Sequence, residues 1–300
     1  MTQRLLTDGG LETDLIFNRG IDLPEFAAFP LVDTAEGRAA LRDYYSAYVD
    51  LAVRAGATVL LETPTWRANP DHGATLGYDA AALDRVNRTS VDLLRELAAG
   101  RDEELLGWQV GGILGPRGDG YQAAGGVDPA EAADYHRPQL AAFAAAGADR
   151  ATVLTLTDVG EGIGIAQAAA DLGLPVMIGF TVETDGRLPD GRTLGEAFAA
   201  VDEAAAPPYF FVNCAHPTHV ARALDGGAWQ ARVGGLRVNA STMSHAELDV
   251  ATDLDDGDPN LLAVDQKALL DAFPQVEVLG GCCGTDLRHV AAMWGVDAGR

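Results

Sequence analysis

The sequence predicts an α/β protein built as one (β/α)8 TIM barrel over residues 1–300. Short apolar runs alternate with capped helical patterns from end to end, which is typical of βα units and a parallel sheet. Eight strand candidates, with helices between them, account for the full 300 residues. Because this length is normal for one barrel and no linker divides it, we expect a single domain.

The strand candidates are runs of apolar and β-branched residues, each followed by glycine, proline or polar residues. The third run leads into a glycine-rich segment, residues 111–116, which we expect to be a loop. The runs cover residues 5–6, 57–61, 105–110, 151–156, 176–180, 209–212, 235–238 and 276–279.

Helix starts are marked by capping patterns between these runs. Asp33-Thr34-Ala35-Glu36 and Thr193-Leu194-Gly195-Glu196 place an acid three residues after a helix-capping side chain, with Asp33 expected to cap the first of them. Asp128-Pro129 puts proline at the first helical position. Helices are also expected over residues 12–18 and 258–273.

Composition excludes several classes of partner. A formal net charge of −23 argues against nucleic acid and anionic membranes, because both require a basic face. No run approaches the roughly 20 apolar residues of a membrane span, and the first residues lack a signal-peptide core. The cysteine count of 3 suits a reducing compartment. We therefore expect a cytoplasmic protein, and its oligomeric state is not indicated.

A barrel predicts where the chemistry lies, because active sites of this fold occupy the carboxyl ends of the strands. The residues that fall at such ends are Asp8, Thr65, Gly115, Cys214, Asn239, Cys282 and Cys283. Every thiol of the chain is among them.

The segment Gly280-Gly281-Cys282-Cys283-Gly284-Thr285 is the most distinctive of these. Free cysteines are often just small buried apolar side chains, and adjacent cysteines can form a strained disulfide. Flanking glycines instead favour a sharp turn that directs two consecutive side chains to one point. Together with Cys214, they predict a three-thiolate Zn²⁺ site with its fourth position open to a substrate thiol. The ligands have to converge through the fold, since their spacing matches no zinc finger.

With Asn213-Cys214 upstream, the double-cysteine segment resembles the homocysteine S-methyltransferase family. Three weaker likenesses extend this over nearly the whole chain: Thr7-Asp8-Gly9-Gly10-Leu11-Glu12-Thr13, Thr63-Pro64-Thr65-Trp66 and Gly111-Gly112-Ile113-Leu114-Gly115-Pro116. The resemblance implies a zinc barrel that methylates homocysteine to methionine. Its methyl donor would be S-methylmethionine, betaine or a methylated folate.

Carried over by position, the resemblance implies roles for individual residues. Cys214, Cys282 and Cys283 would bind Zn²⁺, and Asp8 would help to hold the substrate's amino group. No further catalytic residue is implied, because the metal deprotonates the acceptor thiol. The remaining substrate-binding residues would be Gly9, Thr65, Trp66, Thr157, Asn213 and Asn239.

The chain also departs from the family pattern. Thr157 stands where the family has a glutamate that binds the substrate amine, and Arg67 replaces a frequent glutamine. Glu62 and Asp158 are the acids near strand ends that could replace that glutamate. The acceptor is therefore left open between homocysteine and another thiol or selenol.

Two readings of other classes stay open. One is a barrel that binds zinc or a thiol without turnover. The other is an enzyme that uses Cys282 or Cys283 as a covalent nucleophile without metal, with His216 as the obvious activating base. For His216 and His219 we favour a place at the rim of the site or a helix-capping role.

Overall fold

A computed structural model of the protein describes residues 4–123 and 125–299; the remaining residues of the predicted 1–300 domain lie outside it. Within this described part, eight strands close into a barrel in sequence order. The strands are β1 Leu5–Leu6, β2 Thr58–Glu62, β3 Trp108–Leu114, β4 Arg150–Leu156, β5 Val176–Phe180, β6 Phe210–Asn213, β7 Val233–Val238 and β8 Val278–Gly281.

The barrel closes through its shortest strand. Leu5 of β1 lies opposite Thr58 of β2 on one side and Val278 of β8 on the other. Every neighbouring pair of strands is parallel, so each connection crosses over the sheet. The predicted (β/α)8 barrel is confirmed.

Helices fill the crossovers, and the longer ones form the outer layer. The helices are α1 Leu11–Thr13, α2 Ala35–Ala55, α3 Pro70–Thr75, α4 Ala80–Ala99, α5 Pro129–Ala145, α6 Val159–Leu172, α7 Leu194–Ala204, α8 Pro217–Arg222, α9 His245–Asp249, α10 Pro259–Ala272 and α11 Leu287–Trp294. Of these, α1 and α9 contribute to the lining at the barrel mouth. Thr34, rather than the expected Asp33, caps α2, because the Asp33 carboxylate pairs with Arg85 on α4. None of the helices in the described residues is both long and apolar enough to cross a bilayer.

Side chains pack both inside the barrel and between strands and helices. The interior is filled by a small apolar cluster, in which the Phe211 ring is the largest member. A Cβ on Gly235 would lie 2.3 Å from that ring, so glycine on β7 leaves room for it. The cluster consists of Leu5, Leu60, Ile113, Leu154, Met177, Phe211 and Val278.

Glycines occur within two strands where loops were expected. The prediction that β3 ends at residue 110 is wrong, because Gly111 and Gly112 continue the strand to Leu114. Likewise β8 continues through Gly281 rather than ending at residue 279, and only Gly284 of this motif has a left-handed backbone, with φ +77°. These strand glycines provide space rather than turns, since a Cβ on Gly112 would meet the Phe143 ring.

We expect Gly112→Ala to lower the free energy of unfolding by about 1–3 kcal/mol through overpacking. Its Cβ would lie 2.4 Å from the buried Phe143 ring, so Phe143→Leu should cost less in the Gly112→Ala background than alone. Urea unfolding followed by circular dichroism measures both. The control is Gly100→Ala, whose Cβ would approach no atom closer than 3.4 Å. Equal losses in the two alanine variants would contradict the packing argument.

Candidate metal centre and substrate cavity

A cavity of about 400 Å³ opens at the carboxyl ends of the strands. Its lining comes mostly from segments that follow the strands, within residues 8–13, 62–67, 119–121, 239–255 and 282–284. All three cysteines reach it. The strand ends at which we expected the chemistry therefore border a cavity.

The three cysteines converge at the floor of this cavity as free thiols. Their sulfur atoms all lie within 4.8 Å of one another, and the Cys214 and Cys283 Sγ atoms are 3.6 Å apart. Tetrahedral zinc with bonds of about 2.3 Å separates its sulfur ligands by about 3.8 Å. The cluster therefore fits a metal ion that prefers soft ligands.

Hydrogen bonds from β7 and the residues after it hold the backbone that carries each thiol. Cys214 N–H donates to the Arg237 carbonyl at 3.0 Å, and Cys282 N–H donates to the Val238 carbonyl at 2.8 Å. Cys214 itself has φ +55°, a left-handed conformation that is rare without glycine. Its carbonyl accepts from the Asn239 amide at 3.1 Å, which stabilises this unusual backbone.

The thiols influence each other's ionisation. Contacts with the neighbouring thiols hold the pKa of Cys282 well below its usual range, and the pKa values of Cys214 and Cys283 are raised by contacts within the same cluster. One thiolate is thus favoured, whereas a second or third needs a positive charge beside it. A bound dication supplies that charge and makes all three available as ligands.

Tyr121, which the sequence analysis missed, covers this cluster. Its hydroxyl lies 3.6 Å from the Cys214 Sγ and 3.7 Å from the Cys283 Sγ. The ring stacks on His245 at 4.3 Å with an interplanar angle of 9°. Burial raises the pKa of Tyr121, so the phenol keeps its proton and can donate to a thiolate.

Arg237 on β7 was missed as well, and it is the most connected side chain of the site. Its guanidinium is only 3 % exposed and donates to Asp8 at 2.6 Å and to the carbonyls of Gly9 and Gly281 at 2.9 Å. A further Nη donates to Glu62. One side chain thereby joins the ends of β1, β2, β7 and β8 directly beneath the double cysteine.

Asp8 lines the cavity, but its carboxylate already has protein partners. Besides Arg237, it accepts from the Tyr44 hydroxyl at 3.2 Å. Burial raises the pKa of Asp8 to about 6, even though Arg237 acts in the opposite direction. An ammonium at Asp8 would have to share it with this network.

The two acids considered as substitutes for the missing glutamate lie in different places. Glu62 lines the cavity and pairs with Arg237, and its buried Oε1 has no hydrogen-bond partner among the described residues. Asp158 lies elsewhere, because it caps α6 and accepts from the backbone N–H groups of Gly126, Val127 and Gly160. The structure therefore contradicts Asp158 as a substitute.

The expected substrate residues divide into two groups. Asp8, Gly9, Trp66 and Asn239 line the cavity, whereas Thr65, Thr157 and Asn213 lie behind its lining. The polar atoms of the second group are used internally. Thr65 donates to the Ile113 carbonyl, Thr157 donates to the Gln122 carbonyl, and the Asn213 amide holds Thr155 in a left-handed conformation. These three residues support the wall rather than form it.

Of the two histidines, His216 takes the helix-capping role that we favoured, whereas His219 lies within α8 and neither caps it nor lines the cavity. The His216 Nδ1 accepts from the Thr218 N–H at 3.2 Å, and His219 contacts the Thr242 carbonyl. His216 does not line the cavity either. A metal-free nucleophilic cysteine would therefore lack His216 as its base.

The chain resembles a known protein family over nearly its whole length. A family profile described as "Homocysteine S-methyltransferase" matches residues 5–295. No curated protein matches the sequence.

Among solved structures, the homocysteine methyltransferase MmuM from Escherichia coli resembles the chain in three forms. The metallated form has a TM-score of 0.76 at 24 % identity and covers 98 % of this chain and 96 % of its own. The oxidized form has a TM-score of 0.76 at 23 % identity, covering 97 % and 95 %. The apo form has a TM-score of 0.69 at 23 % identity, covering 98 % and 95 %. This likeness concerns the fold.

We expect Arg237→Met to lower the free energy of unfolding by about 3–5 kcal/mol, because it leaves Asp8 and Glu62 buried without their cation. Without the guanidinium, burial raises the folded-state pKa of Asp8 further above its unfolded value, so the variant should regain stability as the pH falls from 8 to 6. Urea unfolding across this range measures it. The triple variant Asp8→Asn, Glu62→Gln, Arg237→Met is the control and should recover most of the loss. A triple variant as unstable as Arg237→Met would contradict the charge argument.

Proposed function

Because the chain belongs to the homocysteine S-methyltransferase family, we propose that it transfers a methyl group to the thiol of homocysteine or a related thiol. The methyl donor is an onium compound such as S-methylmethionine, and the product from homocysteine is methionine. The observation that carries this proposal is the convergence of Cys214, Cys282 and Cys283 on one point at the barrel mouth. We further propose that Zn²⁺ is the metal and that the chain acts as a single barrel domain.

Zinc held by the three cysteines would supply a Lewis acid that lowers the pKa of an acceptor thiol to make it a thiolate at neutral pH. The chain's own groups orient that thiolate. Arg237 holds the Gly281 carbonyl immediately before Cys282, and the Tyr121 hydroxyl covers the Cys214 and Cys283 sulfurs. These contacts favour one geometry for the approaching thiol.

The reaction is a direct displacement and needs no redox partner. The acceptor sulfur forms a bond to the methyl carbon while the donor's sulfur–methyl bond breaks, and the bonding electron pair stays with the donor sulfur. The apolar walls at Phe26, Trp66, Ile113 and Leu154 exclude water and suit a donor that loses its charge. No side-chain base is needed once the acceptor is a thiolate.

The test measures metal content and methyl transfer in the same preparations. We expect about one zinc per chain in the wild type and methionine formation from homocysteine and S-methylmethionine. Cys283→Ser should lose both. His216→Asn keeps a side chain that can cap α8 and lies off the cavity, so it should keep zinc and activity.

Each other outcome selects a different function. Zinc without transfer to any thiol would favour the barrel that only binds. Activity that survives chelation and is abolished by thiol alkylation would establish a covalent cysteine mechanism and overturn the metal-centred proposal.

A further inference from the structure

Arg67 lines the cavity wall, and a buried donor of its guanidinium lacks a protein partner among the described residues. Its guanidinium lies 4.2 Å from the centroid of the Trp66 ring and donates to the Gly118 carbonyl at 2.9 Å. Within the described residues its buried Nε has no hydrogen-bond partner, and it forms no ion pair with a carboxylate. Asp119 is its strongest acidic neighbour, but that carboxylate accepts from the N–H groups of Tyr121 and Gln122.

Glu12 lines the same cavity, and its carboxylate has few protein partners among the described residues. It lies in α1, which follows β1 after a short connection. In the described part of the chain, its carboxylate has only its own backbone N–H as a hydrogen-bond partner and no ion pair. Burial raises the pKa of Glu12 to about 7, even though Arg237 acts in the opposite direction.

These two groups lie within electrostatic reach of each other and of the thiols. Burial lowers the pKa of Arg67, and Asp119 and Glu12 act in the opposite direction. Burial raises the pKa of Glu12, and the charges of Asp8 and Cys282 add to that rise. Asp8 and Glu62, the other acids of the floor, are already paired with Arg237. Of the two arginines that line the cavity in the described residues, Arg67 is the one without a carboxylate partner. In that part of the chain Glu12 lines the same cavity without an ion pair, while Glu62 keeps one unpartnered oxygen beside Arg237.

We propose that Glu12 and Arg67 bind the head group of the acceptor, with its ammonium at Glu12 and its carboxylate at Arg67. This inference rests on the proposed function and assigns two residues of this chain that would position the head group of the acceptor. Two opposite charges on one carbon match the two unpaired side chains, and Arg67 offers the planar fork that suits a carboxylate. The head group then holds the thiol near the cysteines.

The test compares three acceptors at saturating S-methylmethionine. Homocysteine has both charges, 4-mercaptobutanoate lacks the ammonium, and 3-aminopropane-1-thiol lacks the carboxylate. Arg67→Gln should raise KM about ten- to a hundredfold for the two acceptors with a carboxylate and leave 3-aminopropane-1-thiol unchanged. Glu12→Gln should do the same for the two acceptors with an ammonium and leave 4-mercaptobutanoate unchanged. Arg67→Lys should lie between wild type and Arg67→Gln.

Arg88→Gln and Glu96→Gln are matched controls, because both residues lie on the outer helix α4 away from the cavity. A loss that is equal for all three acceptors, or no loss at all, would overturn the clamp. A rise confined to the KM of S-methylmethionine would place the head group of the donor there instead and would also overturn it.

Calorimetric binding of the three thiols to the zinc-loaded protein without donor gives a readout that is independent of turnover. The same pattern of lost affinity is expected in the two variants. If the wild type transfers no methyl group to any acceptor, the proposed function fails. The binding pattern alone then supports or rejects the clamp.

Discussion

The site depends on one buried guanidinium. Arg237 lies where four strand ends meet, and it neutralises Asp8 and Glu62 while holding the carbonyls of Gly9 and Gly281. Without it, two carboxylates would face each other in a water-poor interior, which costs several kcal/mol per unpaired charge. With it, the backbone before the double cysteine is fixed to β1, the strand through which the barrel closes. The three-cysteine cluster and the closure of the barrel therefore share one set of contacts.

This pairing also decides what the cavity can recognise. Arg237 already pairs with the two acids of the floor, so the proposed clamp places recognition of a charged head group on the wall. Glu12 and Arg67 form no ion pair there in the described residues. The floor keeps the three sulfurs, covered by Tyr121. A thiol ligand would thus place its sulfur at the three cysteines and its charged groups at Glu12 and Arg67. This separation fits a short amino acid whose thiol and head group lie a few bonds apart.

The sequence predicted the barrel and the meeting of the three cysteines, because repeated local patterns mark the strands and each cysteine follows the end of a strand. It did not predict Arg237, whose partner Asp8 is 229 positions away and whose strand looked apolar apart from this residue. Tyr121 lies in a loop without periodicity, so nothing local marked it. Gly112 and Gly281 suggested turns, whereas packing against Phe143 and Thr285 explains them as strand residues. Patterns among neighbouring residues do not reveal contacts between segments that are distant in the sequence.

The central claim is that the three cysteine sulfurs hold a metal which in turn takes up the substrate thiol. X-ray absorption at the zinc edge of the loaded protein, before and after addition of homocysteine, tests it directly. The account predicts three sulfur neighbours at about 2.3 Å in the resting protein and four once homocysteine is bound. A sulfur count below three at rest, or one that stays at three with homocysteine saturating, would contradict it.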